Sequence, residues 1–244
     1  MTSVAERVQT SIRAVNAAAR DPIPSGPFVL YRNRSSDHPY LNYAVPRPGA
    51  RDWTGIDGLR TTFAQHGLQP RLEFVGECAP GLEEALAAAG FGLQGHYPVM
   101  TLEIHELREV PAPDGVVIRR AVGPADARAL LQTAAEAFGD DPPTDAEIAA
   151  YGGRGLLARA EGAPVGAASR SDVAEGVAEL GGIGVREPFR RRGIAAALTA
   201  AAAAEAFAAG AELCFLTPGD DGAERVYERA GFRRAGTTMV HMVG

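Results

Sequence analysis

The sequence is poor in cysteine, has no lysine and contains no long apolar run. Its two cysteines, Cys78 and Cys214, lie in separate apolar segments without a CxxC partner, which favours packed free thiols in a reducing compartment over a disulfide. The 24 basic residues are all arginine and the net charge is −6, which argues against nucleic acid as a partner. No 18 consecutive apolar residues occur, and the N-terminal segment lacks a signal-like apolar core. We therefore expect a cytoplasmic protein with no membrane partner.

Two further classes of site have no support in the sequence. The five histidines show no ligand-like spacing with one another or with cysteine, so no metal site is predicted. The segment GGIGVREP, which begins at Gly181, departs from GxGxxG after its second glycine, and this disfavours hydride transfer with a nucleotide cofactor. The hydrophobic content of 46% is nevertheless ordinary for a globular protein with a buried core.

Helical and strand periodicities alternate along the chain, which predicts an α/β fold. Pro22 and Pro24 are predicted to end the first helix. The predicted elements of the first half are helices at 4–19, 56–66 and 81–89 and strands at 28–32, 40–45, 72–76 and 97–104. Those of the second half are strands at 116–120, 156–160, 164–169, 178–185, 213–217 and 237–243, and helices at 124–138, 146–151, 194–209 and 223–230.

The charged, proline-containing stretch over residues 106–115 is the best linker in the sequence. It predicts one domain over residues 1–105 and a second over residues 116–244.

An internal repeat relates the two halves. The segment that begins at Gly81 matches the segment that begins at Gly222, a shift of 141 residues (222 − 81). The same shift aligns Gly90 and Phe91 with Gly231 and Phe232. A duplicated α/β unit explains the constant shift, and a shared helix and strand composition is the alternative. Under this shift the turn glycine Gly193 corresponds to Asp52, so the first half is predicted to lack the turn described next.

Residues 178–198 read as a buried strand, an arginine-rich turn and the start of an alanine-rich helix. Backbone N–H groups at the start of a helix are unpaired and the helix dipole is positive there, so the turn at Arg190–Gly193 predicts an anion site. A solvated basic turn is the alternative. Three glycines in the strand, Gly181, Gly182 and Gly184, predict a bulge that parts it from the strand at 213–217.

These features resemble the GNAT superfamily of acyl-CoA-dependent N-acyltransferases. Arg190, Gly193 and Ala195 match the superfamily's signature, which is Arg or Gln, two residues, Gly, one residue, then Gly or Ala. Residues 219–232 resemble its later helix motif, with Asp220 where Asn is usual. The resemblance covers roughly residues 117–243 well and the first half only as a degenerate copy without the CoA loop. It implies two GNAT-like halves, each a mixed, mainly antiparallel central sheet flanked by helices, with a splayed strand pair in the second half.

The resemblance also implies acetyl-CoA as co-substrate. The N–H groups of residues 191–196 would wrap the pyrophosphate while the arginines add charge at the rim. In the family the pantetheine arm pairs with the strand edge that here includes Ile183 and Val185. The predicted CoA contacts are Ile183, Gly184, Val185, Arg190, Arg191, Arg192, Gly193, Ile194, Ala195, Ala196 and Asp220.

Direct transfer to an amine requires a proton acceptor, because an alkyl ammonium ion has a pKa of about 10.4. Glu179 is the predicted base, since several family members carry a catalytic glutamate at this position of the strand; a merely exposed carboxylate is the alternative reading. Glu136, Asp140 and Asp141 are its rivals. Tyr227 lies where the family often keeps the tyrosine that protonates the leaving thiolate, and core packing is the alternative.

The predicted function is therefore transfer of acetyl from acetyl-CoA to an amine of a small molecule or peptide, by direct attack and in a monomer or homodimer. The second half should carry this activity. Under the shift of 141 residues Tyr227 aligns with Leu86, so the first half lacks the predicted acid. The first half would be structural or would shape the acceptor pocket. A non-catalytic CoA-binding or regulatory module is the alternative, and a pure interaction scaffold is a third reading.

Overall fold

The computed structural model describes residues 2–244 and divides into two compact units. The first unit consists of the chain up to Val99 together with Arg234–Gly244, and the second consists of Met100–Arg233. The last strand of the chain therefore lies in the first unit. The linker predicted at 106–115 falls within the second unit, so the compact units are divided differently from the two predicted sequence domains.

The first part of the chain forms three helices and five strands. In chain order they are α1 (Val4–Ala19), β1 (Asp21–Ser25), β2 (Phe28–Arg32), β3 (Tyr43–Pro46), α2 (Ile56–Gln65), β4 (Arg71–Val75), α3 (Leu82–Ala88) and β5 (Gly92–Glu103). Helix α1 begins with a capping box, in which Ser3 and Glu6 exchange hydrogen bonds.

The remaining elements follow in the predicted order. They are β6 (Val116–Arg120), α4 (Gly123–Phe138), α5 (Asp145–Ala149), β7 (Gly155–Ala160), β8 (Ala163–Arg170), β9 (Val177–Val185), α6 (Ile194–Ala208), β10 (Leu213–Leu216), α7 (Asp221–Ala230) and β11 (Arg233–Val243). The predicted fold class is confirmed: each unit has a mixed, mainly antiparallel sheet flanked by helices.

In the first unit the strands run in the order β1-β2-β3-β4-β11, followed by the first part of β5. Only β3 and β4 are parallel, through the single pair Ala44 and Leu72. The core on one face of this sheet contains Phe28, Phe63 and Phe74 and is covered by α2 and α3.

Strand β1 is the element that the sequence did not predict. Pro22 and Pro24, predicted only to end α1, lie within this strand and pair with residues of β2. Proline has no N–H to donate, and it is tolerated in a strand that has a neighbour on one side only. The same two residues therefore end the helix and protect the edge of the sheet.

In the second unit the order is β6-β7-β8-β9-β10, followed by the end of β5, and only β9 and β10 are parallel. Helix α6 covers one face, where Leu180 of β9 shares a core with Ile194 and Leu198. Helix α4 covers the other face, where Leu130 packs with Leu157 of β7. The sheet is thus enclosed between two helical layers. No helix within residues 2–244 combines the length and apolarity needed to span a bilayer.

A buried polar cluster lies in the first unit around Arg71, whose side chain is 2% exposed. Its Nε donates to Glu73 Oε1 at 2.7 Å, and its Nη2 lies 3.1 Å from His241 Nδ1. The guanidinium also stacks over the Tyr40 ring, and the His241 ring lies 4.7 Å from that of Tyr97. Burial, aided by the Arg71 charge, lowers the pKa of His241 to about 3, while burial raises the pKa of Glu73. His241 is therefore neutral in the folded protein near pH 7.

We predict that His241 makes the fold sensitive to acid. The unfolded chain takes up the His241 proton below pH 6.5, whereas the folded chain does so only near pH 3, so stability present above pH 6.5 is lost as the pH falls. The loss approaches about 1.4 kcal/mol per pH unit for a single proton. Urea unfolding at pH 7 and pH 5 measures it. His241→Gln should flatten the difference between the two pH values and His66→Gln should not, and an unchanged difference in His241→Gln would contradict the assignment.

Candidate functional site

Strand β9 bends in its second half. Gly182 has φ +60°, and the register with β8 shifts between Ala167 and Ser169. Gly181 and Gly182 are exposed, whereas the start and end of the strand are buried. The predicted glycine bulge is confirmed, and it lies at the middle of a strand that is otherwise covered.

The bulge coincides with a parting of β9 from β10. The two strands pair only between Val177–Glu179 and Leu213–Phe215. Beyond this, Leu216 pairs with Met100 of β5, and β9 continues along β8 alone. The edge of β9 that faces the gap is therefore available to an extended ligand, because its backbone groups have no ladder partner on β10.

The last turn of α4 approaches the end of β9 closely at Gly184. A Cβ at this glycine would lie 2.7 Å from the Ala137 Cβ and 3.3 Å from the Phe138 ring. Only glycine allows this contact without displacing the helix. Phe138 itself is 57% exposed, so an aromatic side chain stands open to solvent beside the bent strand.

The turn after β9 leads directly into the start of α6. Gly193 is the residue before the helix, with φ +86°, and no side chain caps the first turn. The backbone of Arg191 also has a left-handed conformation, with φ +63°. Alternation of this kind aims successive N–H groups at one point, and no acidic residue stands in the first turn to occupy them. The backbone N–H groups of Ile194, Ala195 and Ala196 therefore lie at a helix start without a side-chain cap, and their role in binding an anion stays a prediction.

The three arginines of this turn have different surroundings. Arg190 donates from Nε to the Val185 carbonyl at 3.0 Å and from Nη2 to the Ala137 carbonyl at 2.8 Å. Arg192 donates to the Pro188 carbonyl at 3.1 Å and lies over the Phe189 ring.

Arg191 is exposed and makes no hydrogen bond or ion pair with any residue of the described range 2–244. All three arginines of the turn are exposed, and Arg191 is the one whose guanidinium has no hydrogen-bond partner in the described part of the chain.

Glu179 is held by its backbone at the last paired position before the gap. Its N–H donates to Ser171 Oγ at 2.9 Å, and its carbonyl accepts from the Ser171 N–H at 2.8 Å. Its neighbours Ala178 and Leu180 are buried in the core under α6, so alternation places the half-buried Glu179 on the face that α4 covers. The position suits a base, and that role stays a prediction.

The three other carboxylates considered as the base, those of Glu136, Asp140 and Asp141, have different surroundings. Glu136 forms an ion pair with Arg186, at 2.7 Å between Oε2 and Nε. Asp140 and Asp141 are exposed in the loop that follows α4. Glu179, unlike these three, lies on the parted strand.

Tyr227 and Asp220 belong to α7, which packs against α6. Burial raises the pKa of Tyr227, and the nearby Asp220 carboxylate raises it further, so its hydroxyl stays protonated at neutral pH. Asp220 caps α7, because its Oδ1 accepts from the Ala223 N–H at 2.8 Å. Capping is a role that sequence reasoning missed for Asp220, while its contact with CoA stays a prediction.

The start of α2 in the first unit resembles the start of α6, but it has an acidic side chain in its first turn. Gly55 precedes α2 with φ +98° and no side-chain cap, like Gly193 before α6. The structural counterpart of Gly193 is therefore Gly55, and the constant shift that indicated Asp52 is wrong here because α2 has 10 residues and α6 has 15. Asp57 stands in the first turn of α2 and disfavours a second anion there.

A side chain from α1 meets the end of β4 in the first unit. The Val75 N–H donates to Gln9 Oε1 at 2.7 Å, and Gln9 is 0% exposed. In the second unit, a side chain of the turn meets the end of β9, where Arg190 donates to the Val185 carbonyl.

A pocket of about 710 Å³ lies in the second unit at the other end of α4, away from Gly184. Its walls include Val122, Ile148 and Tyr151 and the exposed ion pair of Arg128 with Asp145. It contains none of the predicted site residues. No group of three His, Cys, Asp or Glu side chains within residues 2–244 is arranged to hold a metal ion.

Comparison with known proteins agrees with this geometry. Residues 125–232 match the model of the Acetyltransferase (GNAT) family. A GCN5-related N-acetyltransferase from Kribbella flavida is 28% identical with a TM-score of 0.84, over 100% of this chain and 96% of its own. One from Sphaerobacter thermophilus is 23% identical with a TM-score of 0.61, over 89% and 76%. A tandem GNAT protein from the clavulanic acid biosynthesis pathway shares the fold at 16% identity and a TM-score of 0.60, over 98% and 93%.

No curated protein matches this chain. The family match covers β9, the turn, α6 and α7, which are the elements that carry the parted strand and the uncapped helix start. Residues 125–232 therefore form a GNAT acetyltransferase domain, and the chain as a whole shares its fold with a GCN5-related N-acetyltransferase.

Proposed function

We propose that the second unit binds acetyl-CoA and transfers its acetyl group directly to an amine. The observation that carries this proposal is the start of α6, which has no side-chain cap and no acidic residue and directly follows the strand that parts from its neighbour. An anion and an extended chain attached to it are accommodated together by these two features. Coenzyme A has this form, because its pyrophosphate is joined to the extended pantetheine arm.

The position of the thioester follows from the direction of β9. With the pyrophosphate at Gly193 and the arm along the gap, the arm runs back past Val185 towards the bulge at Gly182. Its thioester end then lies on the side of Glu179, where the two strands meet. The exposed Phe138 beside Gly184 would form one wall for the amine.

The reaction that this geometry supports is a single displacement. The neutral amine attacks the thioester carbonyl, Glu179 accepts the proton that the ammonium loses, and a backbone N–H near Val185 stabilises the oxyanion. The C–S bond then breaks, and the thiolate takes a proton from the Tyr227 hydroxyl. The raised pKa of Tyr227 keeps that proton available over the whole neutral range.

We propose that the first unit binds no CoA of its own. Asp57 in the first turn of α2 disfavours an anion at that helix start.

Acetyl-CoA turnover with a panel of amines tests the activity. The panel should contain a diamine, an aromatic alkylamine, an amino acid ester, a peptide N-terminus and an aminoglycoside, with thiol release measured against the amine-free rate. We expect at least one class to raise thiol release well above that background. Binding of acetyl-CoA without turnover on any class would favour a non-catalytic module, and absence of binding would overturn the CoA site itself.

Gly193→Asp and Gly193→Asn form a matched pair that tests the anion site. Both side chains are tolerated at positive φ and have the same shape, so the pair differs only in charge. We expect the aspartate variant to bind CoA at least about tenfold more weakly than the asparagine variant, because a negative charge then faces the pyrophosphate. Calorimetry with CoA gives both affinities. Equal affinities of two folded variants would show that no anion binds there.

Tyr227→Phe tests the proton donor. Loss of a general acid lowers kcat by about a hundredfold, whereas the ring remains to pack beside Phe232. The affinity for CoA should therefore stay within about twofold of that of the unmodified protein. Steady-state kinetics with the best amine of the panel separate kcat from KM, and an unchanged kcat would assign Tyr227 to packing alone.

A further inference from the structure

We propose that Arg190 is a positioning residue that holds the last turn of α4 against the end of β9, and that it is not a ligand of the CoA phosphates. The inference deepens the proposed function and rests on it. It concerns a residue that the sequence motif alone would place on the cofactor.

Two of the three guanidinium nitrogens of Arg190 already donate hydrogen bonds within the protein. Its Nε donates to Val185, the last residue of β9, and its Nη2 donates to Ala137 in the last turn of α4. The side chain thus joins the strand to the helix, across 53 positions of sequence to Ala137. Its backbone N–H donates to the Glu187 carbonyl at 3.2 Å. Turning the guanidinium towards a phosphate would leave two carbonyls without their donor.

A second arginine supports the same contact. Arg186 forms an ion pair with Glu136 at 2.7 Å and donates to the Pro164 carbonyl at 3.2 Å. Two successive residues of α4, Glu136 and Ala137, are thus tied to the segment that follows β9. The helix end is held at this point from two sides.

These bonds to α4 are important because the contact between α4 and β9 is tight. At Gly184 the two elements approach so closely that a Cβ would lie 2.7 Å from Ala137. Because the packing is close, the last turn of α4 has few alternative positions near β9. If it loses these bonds, we expect the whole turn to move away from the strand. Phe138, which would form a wall of the amine site, moves with it, and displacement of about 1 Å in an active site can cost about a hundredfold in rate.

Arg191 is the natural comparison. It neighbours Arg190, has φ +63° and makes no hydrogen bond or ion pair with any side chain or backbone group of residues 2–244. Its charge is available to the phosphates, so it should contribute to CoA affinity, whereas Arg190 should contribute to the rate of transfer.

The test compares Arg190→Met with Arg191→Met, which make the same substitution and the same change of net charge at adjacent positions. CoA affinity is measured by calorimetry, and kcat and the amine KM are measured with the best amine of the panel. We expect Arg191→Met to weaken CoA binding about three- to tenfold with little change in kcat. Arg190→Met should leave CoA affinity within about twofold and lower kcat, or raise the amine KM, by tenfold or more.

Arg190→Lys separates charge from geometry. Lysine keeps the charge but has one donor group, which cannot reach both carbonyls in the way that the guanidinium does. It should therefore fail to restore kcat, although CoA affinity stays near that of the unmodified protein. Full recovery of kcat in Arg190→Lys, or a loss of CoA affinity in Arg190→Met equal to that in Arg191→Met, would overturn the proposal.

The thermal unfolding temperature of each variant shows whether it is still folded. If Arg190→Met does not fold, the folded Arg190→Lys variant decides between the two roles by the same kinetic criteria. Failure of the unmodified protein to bind CoA would instead refute the proposed function, so the two failures are distinguishable.

Discussion

The parallel pairing of β9 with β10 stops at Glu179, and the site depends on this interruption. Glycines in β9 allow it, because Gly182 can take φ +60° and shift the register against β8 without loss of the strand. The two strands are then held together at one end and apart at the other. Strand β9 continues through the turn to the uncapped start of α6. In the proposed function, this one local distortion of a sheet makes room for an extended ligand beside a helix start that binds its anion.

The two units share features of their backbones and differ in the side chains beside them. Each has a short parallel strand pairing and a glycine with positive φ before a helix. In the first unit, Gln9 accepts from the end of β4 and Asp57 stands in the first turn of α2. The first turn of α6 has no acidic residue. This difference supports the proposal that the second unit is the one that binds CoA.

Much of the fold could be predicted from the sequence because periodicity and turn residues agree. Strands β2 and β6 have the predicted bounds, and the glycine-rich middle of β9 carries the predicted bulge. Strand β1 could not be predicted, since two prolines in five residues favour a loop unless the strand is known to lie at an edge. The counterpart of Gly193 also escaped prediction, because the constant shift holds for the strands and fails across helices of unequal length.

The roles of individual residues were less predictable than the strands, turns and helices that carry them. The position of Arg190 in the motif indicates a phosphate ligand, and only the structure reveals the carbonyls of Val185 and Ala137 as its partners. Asp220 likewise caps α7, although the motif indicates a ligand contact. Such roles depend on residues far apart in sequence, and no local pattern reports them. Glu179 and Tyr227 have positions that suit a base and an acid, and their roles stay predictions.

A crystal structure of the protein with acetyl-CoA would show directly whether the cofactor binds between β9 and β10. We expect one molecule of acetyl-CoA per chain, with its pyrophosphate at the N–H groups of Gly193–Ala196 and its pantetheine arm between these two strands. Arg190 should keep its bonds to both carbonyls in that complex. A cofactor bound at the start of α2, or bound away from the gap between β9 and β10, would contradict the account.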